Sequence, residues 1–387
     1  MNDLTYRPIA ARPAPAQERG LGAWIEQHLV SDWVSALQTL ILGGLLLVVV
    51  MQIIQWAWIK AFFGPDDALC HAVDGGACWG WVAEQYRNIL FGSYPQSEQW
   101  RALVASLLLL GLLASCGSRR FWRARLLPLS LGVVLVATAL MAGGVGGLQP
   151  VSSALWGGLP LTLLLTWLSW MMSFPVALVL ALGLNSKRAV ICGLSSQYVT
   201  LMRSLPLIAV LFVAFFVLPL CLPQGMQMDV LVRLWGGLTL VSAAGMASIL
   251  RSGLQSVPQG QSDAAAALGL GYWQTLRKII LPQAMARVMP GMMRHLTEVF
   301  RDTTLVGILA FHDLTGAVRL ALSPAVDGHL HLVEGYALVA LFYLAVGFWM
   351  SRCQSQLAQP LDDQPVHEVA VRPLGCLVSE SHKVIKS

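Results

Sequence analysis

Between Asp32 and Lys60 the chain carries no charged side chain, and the stretch is rich in Leu, Ile and Val. A helix needs about 20 largely apolar residues to cross the hydrocarbon core of a bilayer, so this run is long enough to span. Further charge-free windows lie between Arg101 and Arg119, Arg125 and Lys187, Arg203 and Asp229, Arg233 and Arg251, and Glu334 and Arg352. The window from Arg125 to Lys187 is too long for one helix. It divides at Gly143-Gly144-Val145-Gly146-Gly147-Leu148-Gln149-Pro150, a turn signal. One more span, the seventh in chain order, is read from about Pro290 to Leu314, although Glu298, Arg301 and Asp302 fall inside it. Closed barrels also cross membranes, but their strands alternate apolar and polar residues. Here the runs are continuously apolar, as in Leu107-Leu108-Leu109-Leu110. The expectation is an all-α polytopic membrane protein with about eight transmembrane helices.

Composition agrees. Of 387 residues, 56% are hydrophobic and 12% charged, with a mean hydropathy of +0.65. Soluble domains carry about 25% charged residues, and disordered chains are polar and charge-rich. The net charge of +5 is spread between the apolar runs, which argues against a nucleic-acid-binding patch.

Basic residues set orientation, because Lys and Arg are enriched in cytoplasmic loops. With the N-terminus inside, nineteen basic residues fall in inside segments and five outside, with Arg301 inside a span. Both termini are therefore expected in the cytoplasm. Trp33, Trp56, Trp58, Trp100, Trp122 and Trp349 fall at span ends, where indoles prefer to lie. The first apolar run is too long for a secretory signal, and it follows a Pro/Ala-rich start from Pro8 to Gly20. The organisation is then a cytoplasmic tail over 1–32, three spans over 33–150 with an exported loop over 60–101, five spans over 154–352, and a cytoplasmic tail over 353–387. Both tails read as disordered.

The seven cysteines show no metal-site spacing. Cys116, Cys192, Cys221 and Cys353 read as small apolar residues in or near spans. Cys70 and Cys78 share the exported loop, where an oxidising compartment permits a disulfide. Two free thiols, or a metal site with His71, are the alternatives. No metal is expected.

The inside loop from Arg251 to Arg294 is the most informative segment. Pro258 suits the first turn of a helix, and Asp263-Ala264-Ala265-Ala266-Ala267 is strongly helix-forming and thin. Gly269 and Gly271 permit a sharp turn, and Pro282 opens the next helix. The loop reads as a helix–turn–helix at the membrane surface.

Its residues resemble the coupling loop of ABC importer permeases: Glu-Ala-Ala, three residues, Gly, nine residues, Ile, one residue, Leu-Pro. Ala264, Ala265, Gly269, Ile279, Leu281 and Pro282 fall at that spacing, with Asp263 in place of the usual Glu. Leu270-Gly271-Tyr272-Trp273 to Arg277, Leu281-Pro282-Gln283-Ala284 and Phe300-Arg301-Asp302-Thr303-Thr304-Leu305 resemble the polar amino acid branch. Arg203-Ser204-Leu205-Pro206-Leu207 resembles its Arg-Gly-Xaa-Pro-Leu element. The first three spans, with Gly75-Gly76-Ala77-Cys78-Trp79, resemble the M-type subunits of general L-amino acid systems. Ser248 stands where such permeases commonly have a Glu.

The resemblance implies a five-helix type-1 permease core and import of L-amino acids across a bacterial inner membrane. It implies an ATPase dimer, a homologous permease subunit and a periplasmic amino-acid-binding protein as partners. ATP and magnesium would sit on the ATPase, and no cofactor on this chain. Consistently, the sequence holds no Gly-Lys-Ser or Gly-Lys-Thr, so no phosphate-cradling loop is present. An ion-driven secondary transporter is the alternative. It would need ionisable residues in several spans, and only the seventh offers a cluster.

In that span, Glu298, Arg301 and Asp302 are spaced to share a helix face. Arg301 and Asp302, with Thr303 and Thr304, are candidates for the substrate path; simple pairing of Glu298 with Arg301 is the alternative. His312 and Asp313 are placed near the outer interface, and His329 and His331 are read as solvated. Thr162, Thr166, Ser169 and Ser173 recur along the fourth span at helical spacing, lining a path or packing between helices. The charge asymmetry makes a direct prediction: a reporter active only in the periplasm, fused after Ser387, stays silent. A strong signal would invert the topology.

Overall fold

The structure, a computed structural model, describes residues 29, 31–64, 70, 75–117, 126–144, 146–223, 225–309, 311–322 and 331–358. Most of both tails, residues 119–125, His71 and His329 lie outside the described residues, and so does the expected disorder of the tails. Among the described residues the chain is helical, with isolated bridges and no named strand. It forms two compact units, Met1–Gly80 and Trp81–Ser387.

In the first unit, α1 (Trp33–Ile54) runs into a wide π turn at Gln55–Ile59. None of the residues of α1 is buried. Two strand-like contacts fold the following loop back: Phe62 N donates to Ala77 O at 2.8 Å and Trp79 N to Phe62 O at 2.9 Å. The Trp79 indole donates to Ala57 O at 2.8 Å. Cys70 and Cys78 are joined in a disulfide with their Cα atoms 6.0 Å apart.

The second unit holds α2 (Trp79–Phe91, from Trp81), α3 (Gln99–Ser115), α4 (Leu126–Ala142), α5 (Gly158–Leu184) and α6 (Ala189–Ser204). It continues with α7 (Leu207–Phe212), a π turn at Val213–Val217, α8 (Leu218–Cys221) and α9 (Val230–Ser256). Then come α10 (Gln259–Ala267), α11 (Tyr272–Thr275), a π turn at Leu276–Ile280 and α12 (Leu281–Asp302). A 3₁₀ segment (Thr303–Leu309), α13 (Leu314–Leu322) and α14 (Leu332–Ala358) complete it. Helix α9 is central, packing against α5, α6 and α12; α12 in turn packs on α14, and α3 and α4 pack on α5. The core is apolar, with Leu161, Leu164, Trp167, Leu234, Met246, Met293, Leu296 and Phe300 all buried.

Five described helices are long and apolar enough to span: Trp33–Ile59, Gln96–Ser115, Gly158–Leu184, Val230–Ser256 and Leu332–Leu357. A sixth is reached if α6 and the helix from Leu207 count as one span bent by 99°. The window between Arg203 and Asp229, expected to hold one span, holds the helical stretch Leu207–Cys221 that follows this bend. The residue before a proline avoids the helical region, and Leu205 (ψ 134°) and Pro206 (ψ 133°) are both extended at the bend. The expected span over 290–314 is also displaced. Its helix begins at Leu281, ends at Asp302 and gives way to the 3₁₀ segment.

Prolines explain two of the wide turns. Proline lacks an N–H and clashes with the carbonyl four residues back. The π turns at Val213–Val217 and Leu276–Ile280 each end two residues before a proline, Pro219 and Pro282. The extra residue in each turn accommodates the missing bond while the helix continues.

The hydroxyls of α5 are in seams. Thr162, Thr166, Ser169 and Ser173 are buried. Thr162 Oγ1 donates to Gly158 O and accepts from Leu314 N at 2.9 Å. Ser173 Oγ lies 2.6 Å from Ser169 O and 3.1 Å from Thr239 O on α9. They join helices. His331, read as solvated, is buried and stacks on Trp81 at 5.2 Å and 11°. Asp313 is fully buried, its Oδ1 accepting from Gly316 N at 2.8 Å at the start of α13.

Gly158 sits where three segments cross. Its φ is +63°, and its N donates to His312 O at 2.6 Å. A Cβ there would collide with Leu90 O. Left-handed backbone costs a residue with a side chain about 1–2 kcal/mol, and a forced shift adds about 1–3 kcal/mol. Gly158→Ala is expected to lower the melting temperature of the detergent-solubilised protein well below that of Gly144→Ala. Gly144 has φ +77° but open space at the Cβ position. Equal melting of the two variants would mean that the crossing is not tight.

Candidate functional site

The loop between α9 and α12 folds as a helical hairpin built by local rules. Val257 and Pro258 are extended, and the chain enters α10 at Gln259, with Gln261 N donating to Pro258 O at 3.1 Å. Proline therefore stands just before the first helical residue. Of the alanines, only Ala265 is buried; Ala264, Ala266 and Ala267 are exposed, as is Asp263. Ala265 is the alanine turned inward, and α10 packs against the π turn at Leu276–Ile280.

Helix α10 ends in a paired backbone cap. Gly269 N donates to Ala266 O at 2.9 Å and Leu270 N to Ala265 O at 3.0 Å, with Gly269 at φ +74°. This is the Schellman arrangement, which satisfies carbonyls otherwise left open at a helix end. Gly271 does not share the strain: at φ −69° and ψ 162° it is ordinary extended backbone preceding α11. The turn therefore requires glycine at Gly269 and not at Gly271.

The tip of the hairpin is apolar and open. Leu268 is 79% exposed, Tyr272 66% and Trp273 71%, and the two rings meet edge to face at 5.3 Å. Behind the tip, Thr275 and Leu276 are buried, Ile279 and Leu281 are half-buried, and Pro282 is exposed. The matched positions divide into an inward set (Ala265, Ile279, Leu281) and an outward set (Asp263, Ala264, Pro282), with Gly269 at the turn.

The second cluster lies along α12. His295 Nε2 lies 3.0 Å from both Ser242 O and Ser242 Oγ on α9. A carbonyl only accepts, so Nε2 is the donor. His295 Nδ1 faces Glu298 Oε2 at 3.4 Å. Glu298 pairs with Arg294 at 3.5 Å, both side chains more than half exposed. The expected Glu298–Arg301 pair is therefore replaced by Arg294–Glu298. Arg301 turns instead toward α14, where a Cβ at Gly347 would lie 3.4 Å from its Nη2. Asp302 is half-buried. Thr303 is buried with Oγ1 donating to Phe300 O, and Thr304 Oγ1 donates to Arg301 O. Sequence reasoning missed His295; its spacing of three to Glu298 and seven to Asp302, which puts all three on one helix face, was the available signal. At Ser248 the hydroxyl accepts from Arg203 Nη1 at 3.2 Å.

Residues 173–359 match the family described as the binding-protein-dependent transport system inner membrane component. The inner membrane amino-acid ABC transporter permease YhdY of Escherichia coli K12 is 35% identical, over 89% of this chain and 94% of that protein. The chain belongs to the amino-acid ABC transporter permease family. The permease is also 28% identical to the glutamate/glutamine/aspartate/asparagine transport system permease BztC of Rhodobacter capsulatus, over 93% of its own length and 99% of that protein. A solved amino acid ABC transporter with histidines matches 51% of the permease with 27% identity and a TM-score of 0.45. The permease is thus an inner-membrane component of an importer, and its family works with ATPase and substrate-binding partners.

The Gly269 cap yields a test. A residue with a Cβ at φ +74° costs about 1–2 kcal/mol, less for Asn, which visits this region more readily. Since nothing lies within 4 Å of the added Cβ, backbone strain is the whole cost within this chain. Gly269→Val is expected to accelerate proteolysis of the hairpin, with Gly269→Asn close to wild type. Equal sensitivity would show that the cap does not hold the turn.

Proposed function

We propose that the permease carries L-amino acids into the cell, with both termini in the cytoplasm. A separate ATPase dimer drives it, docking on the α10–α11 hairpin. The observation that carries this reading is the hairpin itself. Asp263, Ala264, Ala265, Gly269, Ile279, Leu281 and Pro282 build a short capped helix whose tip exposes Leu268, Tyr272 and Trp273. Large apolar side chains grouped at a loop tip suit a protein socket better than water. Exposed Asp263 adds a charge that a basic partner residue would meet. The partner set is completed by a homologous permease chain and a periplasmic amino-acid-binding protein. ATP and magnesium belong to the ATPase chains, and no cofactor is assigned to the permease. Closure of the Cys70–Cys78 bond in the exported loop fits the same orientation.

The charged face of α12 supports a place for the substrate path. A charged side chain at the bilayer centre costs about 2.5–3.5 kcal/mol or more, so Arg294, Glu298 and Arg301 do not face lipid. Arg294 and Glu298 face water or the second permease, and Arg301 lies beside them over α14. Arg301 and Asp302 offer opposite charges to the two ends of an amino acid. Thr303 and Thr304 border this face through their backbone, since their hydroxyls are already donated to it.

The decisive experiment is ATPase activity and amino acid uptake in vesicles holding the whole complex. Gly269→Asp is expected to assemble at wild-type abundance and to lose substrate-stimulated hydrolysis by tenfold or more. Asp, like Asn, tolerates this backbone better than other residues, so the loss comes mainly from the charge brought into an apolar contact. Asp263→Ala is expected to be milder, and Asp263→Glu to be tolerated. Normal transport by Gly269→Asp would remove the hairpin from coupling.

A further inference from the structure

The ends of α9 and α12 that flank the hairpin are held together by a contact with no assigned role. Arg287 on α12 reaches back to the last residue of α9. Its Nη1 donates to the Ser256 carbonyl and lies 3.2 Å from Ser256 Oγ. The last carbonyls of a helix have no partner within it, and the helix dipole makes this end attractive to a cation. A guanidinium from a neighbouring helix therefore satisfies an acceptor that α9 cannot. Ser256 Oγ meanwhile donates to Gly253 O at 2.7 Å, so the hydroxyl is held in place.

Three further features surround this contact. Gly253 lies so close to α12 that a Cβ would collide with Val288 Cγ1 and approach Ala284 O at 3.1 Å. Gln283 Nε2 lies 3.4 Å from Gln261 Oε1 on α10. Ser256 is only two residues from Pro258, where α10 is entered. The two helices are thus in backbone contact one turn from Arg287, and α10 is tied to α12 directly.

We propose that Arg287 is a positioning residue for coupling. By clamping the carbonyl end of α9 to α12, it makes the hairpin move with both helices as one body. Without the clamp, a displacement of α12 is absorbed at Val257 and Pro258, which are extended and outside any helix. The inference rests on the hairpin being the ATPase contact. It adds that the push must reach the hairpin through α12 as well as through α9. One nitrogen, Nη1, meets both the carbonyl and the hydroxyl oxygen, and it is held there by a planar, rigid guanidinium; a lysine ammonium on its flexible stem can reach the same oxygens but fixes the geometry less well.

The test uses the assembled complex in vesicles with its binding protein and substrate. Arg287→Met keeps the apolar stem, and Arg287→Lys keeps the charge. The readout is the ratio of substrate-stimulated to basal ATP hydrolysis per assembled complex. Arg287→Met is expected to lower that ratio by about fivefold to twentyfold, with Arg287→Lys in between. A normal ratio in Arg287→Met overturns the proposal. So does a loss of activity in both variants that follows the loss of assembled complex, because a merely structural role predicts that pattern. Gly269→Asp is measured alongside. If it uncouples while Arg287→Met does not, the clamp alone fails. If neither uncouples, the hairpin itself is not the ATPase contact.

Discussion

Helices α9 and α12 approach each other more closely than side chains of ordinary size would permit, and the functional features hang from that seam. In a bilayer there is no hydrophobic gain from pressing two apolar helices together, because lipid tails are as apolar as Leu. Association relies on close packing and on hydrogen bonds between helices. Helix α9 supplies the first through Gly245 and Gly253. At Gly245 a Cβ would come within 3.0 Å of His295, and at Gly253 it would strike Val288. The short distance then makes the second possible. His295 reaches Ser242 at one level of the seam, and Arg287 reaches Ser256 at another. Larger residues at Gly245 or Gly253 would push both polar contacts out of range.

Proline controls where these long helices yield. Pro206 turns the chain through 99° between α6 and α7. Pro219 and Pro282 are absorbed by a π turn ahead of them, so the helix continues in a shifted register. The difference is positional. Pro206 follows an extended Leu205, whereas the π turns end in helical residues whose widened ring already spares the bond that proline cannot make. At Pro282 the shift fixes how α10 and α11 leave α12, since the π turn that absorbs it is the surface on which α10 packs.

Charge-free runs located the spanning helices because burial in lipid acts on whole segments. The spans around Leu40, Leu108, Leu164, Val241 and Leu341 were legible for that reason. Local rules were legible too: an alanine run, a glycine after it and a proline nine or more residues on specify the hairpin almost without tertiary help. What sequence could not show was anything decided by which neighbour a residue meets. Pro206 marked a possible break but not a bend of 99°. Glu298 had Arg294 and Arg301 at suitable helical spacing, and in the fold it pairs with Arg294 while Arg301 lies over α14 beside Gly347. His331 read as solvated because nothing local announced the face of Trp81. The α5 hydroxyls had the same spacing whether they lined a path or a seam.

Two surfaces of the second unit remain costly for a chain on its own, and they demand different partners. The outer face of α12 carries Arg294 and Glu298, each more than half exposed along a helix set among spanning helices. Such a pair is satisfied by water or by another polar protein face. The hairpin tip presents the opposite problem, with Leu268, Tyr272 and Trp273 open where apolar contact is missing. The two surfaces differ in kind, one charged and the other apolar, so a neighbour suited to one does not suit the other. Yet both lie on one continuous length of helix, since α11, its π turn and α12 follow each other from Tyr272 to Asp302. A change in what faces Glu298 is therefore felt along the same rod that carries Trp273. Rigid helices transmit such a displacement only if their ends are held, which is the physical reason that contacts as small as Arg287 with Ser256 matter to a transporter.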